Sequence, residues 1–340
     1  MREIRLLGPG DEEPLERFLT AHPDSGQLLR ANLSRGGIED RGAPYQGTYA
    51  ACLSRGAVTA VAAHCWNGML LLQADEAAER VARRALAASG RPLTGLLGPW
   101  GQVVWVAWTL DLPQDCSGLD RPQQLMTLDL MDLIMPEPLA RGDLVCRRAR
   151  SSELELLYNW RAGFEAETTG LREDRALRAA ARQMIDQQQK SGDNWVLTRG
   201  GRLVAGCTVI GETGETIQIG GVITPKDRRN RGYGRAVVAG TLRAARDRGR
   251  ARAILFTNNP AAERAYRAIG FAASGEVGLV TLGATDEKPE QGRDACNSEA
   301  YGVVSARAGR DPANSPADNR GGNRGGNPGG RQARPQVGRS

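Results

Sequence analysis

Apolar residues between positions 234 and 249 recur at the spacing of an α-helix, and arginines occupy the opposite face and the last turn. Val238, Leu242 and Ala245 fall on one side of such a helix. The apolar run Ala253–Thr257 then predicts a short buried strand. A strand before the helix and this strand after it predict a right-handed crossover that joins two parallel strands.

The rest of the second half supplies the remaining elements of a mixed α/β fold, in the order β-α-α-β-β-β-α-β-α. A serine and a glutamate three residues apart mark the start of its first helix as a capping box. The predicted elements are a strand over Asp143–Arg150, helices over Ser152–Thr168 and Glu173–Lys190, strands over Trp195–Thr198 and Leu203–Ile210, a strand ending at Thr224, a helix between Pro260 and Gly270, and a weak pair of strands around Phe271–Leu282.

The first half of the chain shows a similar succession of patterns. Its predicted helices cover Glu12–Leu19, Gln27–Leu33, Glu76–Ala88 and Gln102–Trp108, and its predicted strands cover Tyr49–Leu53, Val58–His64, Met69–Gln73, Leu93–Leu97 and Leu125–Leu130. We therefore expect two domains of related architecture, over residues 1–140 and 142–283. Residues 284–340 lack apolar periodicity and predict a disordered, Arg/Gly-rich tail.

The positive charge of the chain is concentrated in that tail. The net charge is +6, and residues 301–340 hold seven arginines against two aspartates, so the folded part is nearly neutral. No apolar stretch approaches the ~20 residues of a membrane span, and the charged start lacks a signal-peptide core. With only two histidines and no paired cysteines, we expect a cytoplasmic protein without a metal site.

A basic, glycine-containing loop follows the strand that ends at Thr224 and opens the helix described first. Such a loop builds an anion site, because its glycines let backbone N–H groups converge and the helix adds unpaired N–H groups and its dipole. The dinucleotide fingerprint G-x-G-x-x-G fails, because Val237 stands where its third glycine should be, and no Gly-Lys-Ser/Thr follows to make a P-loop. A pyrophosphate remains the natural guest.

The loop pattern Arg-x-x-Gly-x-Gly, at Arg229, Gly232 and Gly234, resembles the acetyl-CoA loop of the GCN5-related N-acetyltransferases, the GNAT superfamily. One crossover further on, a second segment resembles the family pattern Asn-x-x-Ala-x-x-x-Tyr-x-x-x-Gly-Phe. Its positions are Asn259, Ala262, Tyr266, Gly270 and Phe271. The resemblance implies a tandem GNAT fold with a working second half and a degenerate first half, since the first half has no such loop.

The resemblance also implies that the chain uses acetyl-CoA as a co-substrate and acetylates a primary amine on a small molecule or a protein. The strand before the loop would offer its free backbone edge to the pantetheine arm, and a backbone N–H there would donate to the oxyanion. Asn259 would contact the arm, or it simply caps a helix. The residues expected at the cofactor are Val222, Ile223, Thr224, Arg228, Arg229, Asn230, Arg231, Gly232, Tyr233, Gly234 and Asn259.

The catalytic groups are less well marked. Tyr266 is the candidate general acid, because a phenol with a pKa near ~10 is protonated at neutral pH, although a tyrosine at this position also packs in a core. Glu215, Glu165 and Glu167 are candidate bases, and each is also a typical surface carboxylate. His64 could reach the site only across the domain interface.

Two further functions remain open at this point. The chain could bind acetyl-CoA as a sensor or scaffold without turnover, in which case no free thiol would be released with any amine. Alternatively, the Arg-Gly-Gly repeats between Arg320 and Arg331 could bind RNA. A solvated, linker-like tail is the favoured explanation of the repeats, since they are few and lack nearby aromatic residues.

Overall fold

The computed structural model of the chain describes residues 2–113, 116, 118–169 and 172–282. Within these residues, twelve strands form one mixed sheet. The predicted tail at 284–340 lies outside the described residues. The strands are β1 (Arg2–Leu6), β2 (Gly47–Ser54), β3 (Ala57–Cys65), β4 (Met69–Gln73), β5 (Gly95–Pro99), β6 (Gln123–Asp129), β7 (Leu144–Arg148), β8 (Asn194–Arg199), β9 (Arg202–Thr213), β10 (Thr216–Ile223), β11 (Arg252–Thr257) and β12 (Ala272–Thr281).

The helices of the described chain lie between these strands and cover the sheet. They are α1 (Glu12–Thr20), α2 (Gln27–Gly36), α3 (Ala78–Ser89), α4 (Trp100–Thr109), α5 (Glu137–Ala140), α6 (Leu154–Thr169), α7 (Arg175–Lys190), α8 (Tyr233–Arg246) and α9 (Pro260–Arg267). Helix α3 packs across β1 to β4, and α8 packs across β7 to β10. The two halves of the chain therefore repeat the same arrangement of a helix on four strands.

The two halves exchange a strand at the centre of the sheet. The strand order is β1-β2-β3-β4-β5-β12-β6-β11-β10-β9-β8-β7. Strand β6 of the first half pairs antiparallel with β11 from Arg252↔Asp129 to Thr257↔Gln124, and β12 of the second half pairs antiparallel with β5 from Val277↔Pro99 to Thr281↔Gly95. Because β12 and β6 also pair with each other, the last strand of each half completes the sheet of the other half.

This exchange corrects one prediction from the sequence. The pair of strands expected around Phe271–Leu282 is a single strand, β12. Strand β12 pairs with β6, which comes from the first half of the chain. The first strand, β1, was not predicted at all, because its charged sequence is that of an edge strand that pairs only with β2.

The hydrophobic core follows the same exchange. One core cluster joins α8 and α9 to the strands of the second half and includes Met126, Leu128 and Leu130, which come from β6 and the turn after it. Another joins α1 and α2 to β2–β5 and includes Val277 of β12. The boundary predicted near residue 141 falls between β6 and β7 in the chain, and the division into two separate domains stays a prediction.

None of the helices in the described part of the chain combines the length and the apolar character that crossing a membrane requires.

The exchange makes a testable prediction about the isolated second half. A fragment of residues 142–340 leaves the edge of β11 unpaired and removes Met126, Leu128 and Leu130 from its core. Losing buried side chains of this kind costs ~2–5 kcal/mol each, which in sum matches the ~5–15 kcal/mol stability of a whole domain, and a free strand edge favours aggregation. We expect no cooperative thermal unfolding by circular dichroism from this fragment alone.

Co-expression of residues 1–141 with residues 142–340 serves as the control and should give a soluble complex that melts cooperatively. A fragment of residues 142–340 that is monomeric and melts cooperatively on its own would show that the exchanged strand is dispensable.

Candidate active site

A fork between two parallel strands forms the centre of the candidate site. Strands β10 and β11 pair only over Thr216–Gln218 and Arg252–Ile254, although β10 continues to Ile223 and β11 to Thr257. The register of β10 against β9 shifts between Gly220 and Ile223, and Gly221 has a φ of 54°. Such a bulge bends a strand, so β10 turns away from β11 and leaves its backbone groups on that side for a ligand.

The basic loop lies at the open end of this fork. A short 3-10 turn over Lys226–Arg228 follows β10, and α8 begins directly after Gly232, whose φ is 74°. A Cβ on Gly234 would lie 3.4 Å from the Thr224 Oγ1 atom, so the first turn of α8 rests on the end of β10. The N–H groups of this first turn have no acceptor within the helix and carry its positive dipole. These features are the ones that favour an anion at the N-terminus of a helix.

Arg229 connects this loop to the end of α6. Its guanidinium group makes two hydrogen bonds of 2.7 Å to the carboxylate of Glu167, and its Nε donates to the Thr224 carbonyl at 3.1 Å. The hydrogen bond from Arg229 holds the pKa of Glu167 below its usual range. Glu167 is thus ionised at neutral pH, and the ion pair is lost only as the pH falls through this lowered pKa. The Glu167 carboxylate therefore occupies the two guanidinium N–H groups of Arg229 that an incoming phosphate would need.

The other loop residues contribute differently from one another. Arg228 donates to the carbonyl of Leu203 and lies 5.9 Å from the ring of Trp160, so its charge is turned toward β9 and α6. Asn230 and Arg231 are exposed. Tyr233 is buried, and its hydroxyl accepts a hydrogen bond from Arg199 at 3.1 Å. This hydrogen bond, with a smaller contribution from Arg231 of the loop, holds the pKa of Tyr233 below its ordinary value.

The second predicted motif lies on α9. Tyr266 is 7% exposed in the core under this helix, and burial raises its pKa well above the ordinary value, so the phenol is protonated. The Oδ1 atom of Asn259 accepts from the N–H groups of Ala261 and Ala262 at 2.9 and 3.4 Å. This is the N-cap of α9, which leaves the Nδ2 group of Asn259 for a ligand. The roles of both residues stay predictions.

Two of the predicted residues do not reach the fork. Glu215 lies in the turn before β10 and is exposed, roughly 26 Å from Ile223 at the spacing of an extended strand. His64 is fully buried in the first half, where its ring contacts Ser89 and the Gly68 carbonyl, and desolvation lowers its pKa to about 4. Its surroundings explain it as a neutral core histidine.

A groove of about 490 Å³ opens beside the fork. It runs between the last turns of α6 and the end of β10, and it combines aromatic rings with charges of both signs. The lining includes Trp160, Phe164, Glu167, Ile223, Thr224 and Arg229. This arrangement brings the free edge of β10, the anion loop and one of the candidate bases to the same opening.

The equivalent place in the first half has no such loop. Only Ala74–Ala77 separate β4 from α3, and Asp75 and Glu76 make this connection acidic. The side chain of Gln102 accepts a hydrogen bond from the Ala74 N–H and donates one to Asp75, both at 2.7 Å. These two hydrogen bonds hold the first turn of α4 against the β4–α3 connection. A short acidic connection of this kind lacks the converging donors that a pyrophosphate needs, so the β4–α3 connection is not a candidate anion site.

Sequence reasoning missed the importance of one pair at the fork. Arg161 and Glu165 of α6 are 1% and 0% exposed, and the Arg161 Nη2 atom lies 2.5 Å from the Glu165 Oε1 atom. The signal was present, because Arg161 falls on the helical spacing of Leu154 and Leu157, which pack into the core. A charged residue at a core position marks a candidate functional group.

Comparison with known proteins agrees with this geometry. Residues 154–271 match the acetyltransferase (GNAT) family model. A Drosophila protein shares 13% identity and a TM-score of 0.54, covering 82% of this chain and 98% of its own. A GCN5-related N-acetyltransferase from Sphaerobacter thermophilus shares 14% identity and a TM-score of 0.50, covering 82% and 94%. A search of curated sequences gave no match.

A third similar structure is the GCN5-related glucosamine N-acetyltransferase region of a fungal multi-domain β-N-acetylglucosaminidase, with 12% identity and a TM-score of 0.51. The match covers 82% of this chain and 38% of the fungal chain. At these identities the structures show the fold alone. The family match identifies a GNAT acetyltransferase domain over residues 154–271, and this family implies acyl transfer with acetyl-CoA as the donor.

The described residues contain no group of three or more histidines, cysteines, aspartates or glutamates that could hold a metal ion.

The Arg229–Glu167 pair predicts how cofactor affinity responds to mutation. Glu167→Gln removes the carboxylate that competes with phosphate for Arg229, so CoA should bind more tightly. Exposed pairs contribute ~0.2–1 kcal/mol, and we expect the dissociation constant to fall by about two- to fivefold. Isothermal titration calorimetry of CoA at low salt measures this.

Glu173→Gln is the matched control, since Glu173 lines the same groove but pairs with Arg178, and its affinity for CoA should equal that of the wild type. Equal or weaker binding by Glu167→Gln would mean that Arg229 and Glu167 do not compete with the cofactor.

Proposed function

We propose that the second half of the chain is an N-acetyltransferase that moves the acetyl group of acetyl-CoA to a primary amine on a small molecule or a protein. One observation carries this proposal: the free edge of β10 and the anion loop at the start of α8 meet at the same fork. A thioester on a long arm that ends in a pyrophosphate fits both parts at once.

The loop would hold the pyrophosphate. The first-turn N–H groups at Gly232–Gly234 and the charges of Arg229 and Arg231 supply the donors, with Asn230 beside them. The arm would then run along the backbone of Val222, Ile223 and Thr224. The reacting carbonyl would then lie where β10 leaves β11, and Tyr266 of α9 would approach it from the core under that helix.

The reaction balances with groups on this chain. The amine first loses a proton to a base, for which Glu167 is our candidate, because it lines the groove and would be released when phosphate takes Arg229. The amine nitrogen forms a bond to the carbonyl carbon while the C=O π pair moves to oxygen. The C=O bond then re-forms, the C–S bond breaks, and the thiolate takes a proton from Tyr266. The resulting tyrosinate takes back the surplus proton of the acylated nitrogen, which leaves a neutral amide, free CoA thiol and the protonated base. Glu215 has no part in this scheme, because it lies at the far end of β10.

Binding of acetyl-CoA tests the location of the site. Gly232→Glu places a carboxylate in the proposed pyrophosphate position, and it should abolish binding in a calorimetric titration. Gly249→Glu is a matched control, since Gly249 follows the other end of α8, also has a positive φ of 86°, and has open space around it. If wild type fails to bind, or both variants bind like wild type, the proposed site is wrong.

Thiol release tests the proposed chemistry. Tyr266→Phe removes the proton for the leaving thiolate, and general acid catalysis contributes ~10²–10⁴-fold, so turnover with a primary amine should fall by about 100-fold or more. The affinity for acetyl-CoA should stay within twofold of wild type.

Tyr158→Phe, on the far side of α6 against Asp186, controls for the loss of a buried hydroxyl. Undiminished turnover by Tyr266→Phe would assign Tyr266 to packing alone. Binding without thiol release from any amine in wild type would indicate a sensor.

A further inference from the structure

The buried pair in α6 is difficult to explain by stability. Arg161 and Glu165 lie one helical turn apart and are almost completely removed from solvent. The cost of desolvating two charges largely cancels their attraction, and apolar replacements of such pairs are often neutral or stabilising. A buried pair of this kind therefore suggests a role other than holding the fold together.

The position of Arg161 suggests what that role is. A Cβ on Gly221 would lie 2.7 Å from the Arg161 Nη1 atom, so the guanidinium group touches the backbone of β10 at its bulge. This is the part of β10 that has separated from β11. A side chain at residue 221 would also be strained at its φ of 54°. Glycine at this position thus permits both the bulge and the close approach of a positive charge.

The guanidinium group also has an unsatisfied donor. Among the described residues, the buried Nε atom of Arg161 has no hydrogen-bond acceptor, and the Nη2 atom is engaged in the ion pair with Glu165 at 2.5 Å. Buried donors in folded proteins are nearly always satisfied. The unsatisfied donor of this buried group, which lies against β10 at its bulge, therefore indicates that a ligand atom accepts from it.

Resting on the proposed function, we infer that Arg161 is a catalytic residue that donates a hydrogen bond to the carbonyl oxygen of the thioester, and that Glu165 is the positioning residue that holds it. When the amine nitrogen bonds to the carbonyl carbon, the π pair moves to this oxygen and gives it a negative charge. Arg161 stabilises that charge without transferring a proton. The effect is large because the site is buried, where electrostatic interactions are strong.

The paired charge explains why the arginine can be buried before the reaction. Glu165 neutralises the guanidinium group in the resting protein, and the ring of Phe164 lies 5.5 Å from the Arg161 Cζ atom. As negative charge develops on the carbonyl oxygen, it faces a donor that is already in place. Preorganised donors of this kind need no rearrangement during the reaction.

Carbon NMR of bound acetyl-CoA tests this inference without knowledge of the acceptor. A hydrogen bond to a carbonyl oxygen deshields its carbon, so [1-¹³C]acetyl-CoA should shift downfield on binding to the full-length wild type. The double variant Arg161→Met/Glu165→Met removes both charges at similar volume. We expect it to lose most of this displacement while its affinity for CoA stays within twofold of wild type.

A kinetic readout follows once an amine acceptor is found. The same variant should lose about 100-fold in kcat, the typical effect of removing one oxyanion donor, with an unchanged KM for acetyl-CoA. A thermal melt checks that the variant is folded. If the methionine variant does not fold, a second variant, Arg161→Gln/Glu165→Gln, takes its place. It keeps polar side chains of similar length, and we expect it to lose part of the displacement of the carbonyl resonance.

The possible results distinguish a failure of the inference about Arg161 from a failure of the proposed acetyl transfer. A wild-type shift that either folded double variant reproduces in full would overturn the role of Arg161 and leave acetyl transfer intact. A wild-type protein that shows no bound resonance at all would overturn the proposed function, and the role of Arg161 with it.

Discussion

The separation of β10 from β11 is the constraint on which the candidate site depends. These two strands pair over only three positions, and beyond them the bulge at Gly221 bends β10 away. If the strands stayed paired, the backbone donors and acceptors of residues 219–223 would be satisfied within the sheet and no ligand could use them. The same bend brings the end of β10 under the first turn of α8, which joins the free strand edge to the anion loop.

The fork is stabilised from the other half of the protein. Strand β11 is held on its far side by β6, and β6 is held by β12, so the centre of the sheet alternates between the two halves. A strand that is fully paired on one side can remain extended while its other edge is open. The first half therefore contributes to the site through the sheet, although its own β4–α3 connection is short, acidic and closed by Gln102.

Sequence reasoning succeeded where the information is local. The loop glycines, the face of α8 and the N-cap at Asn259 follow from residues within one turn of each other, and the structure contains each of these elements. The exchange of β6 and β12 was not predicted, because no local pattern encodes the partner of a strand. Glu215 was considered because it begins the right strand, but the fork lies at the opposite end of that strand. Arg161 was visible as a charge at a core position, and only the contact with Gly221 gave it a place in the site.

Hydrogen exchange with and without acetyl-CoA tests the central claim most directly, because it reports on backbone N–H groups at both the fork and the loop. The account predicts slower exchange in segments that contain Ile219–Thr224 and Asn230–Gly234, and no change in Ala74–Ala77 of the first half. Protection of the first half, or no protection of either segment at saturating acetyl-CoA, would contradict the assignment of the site.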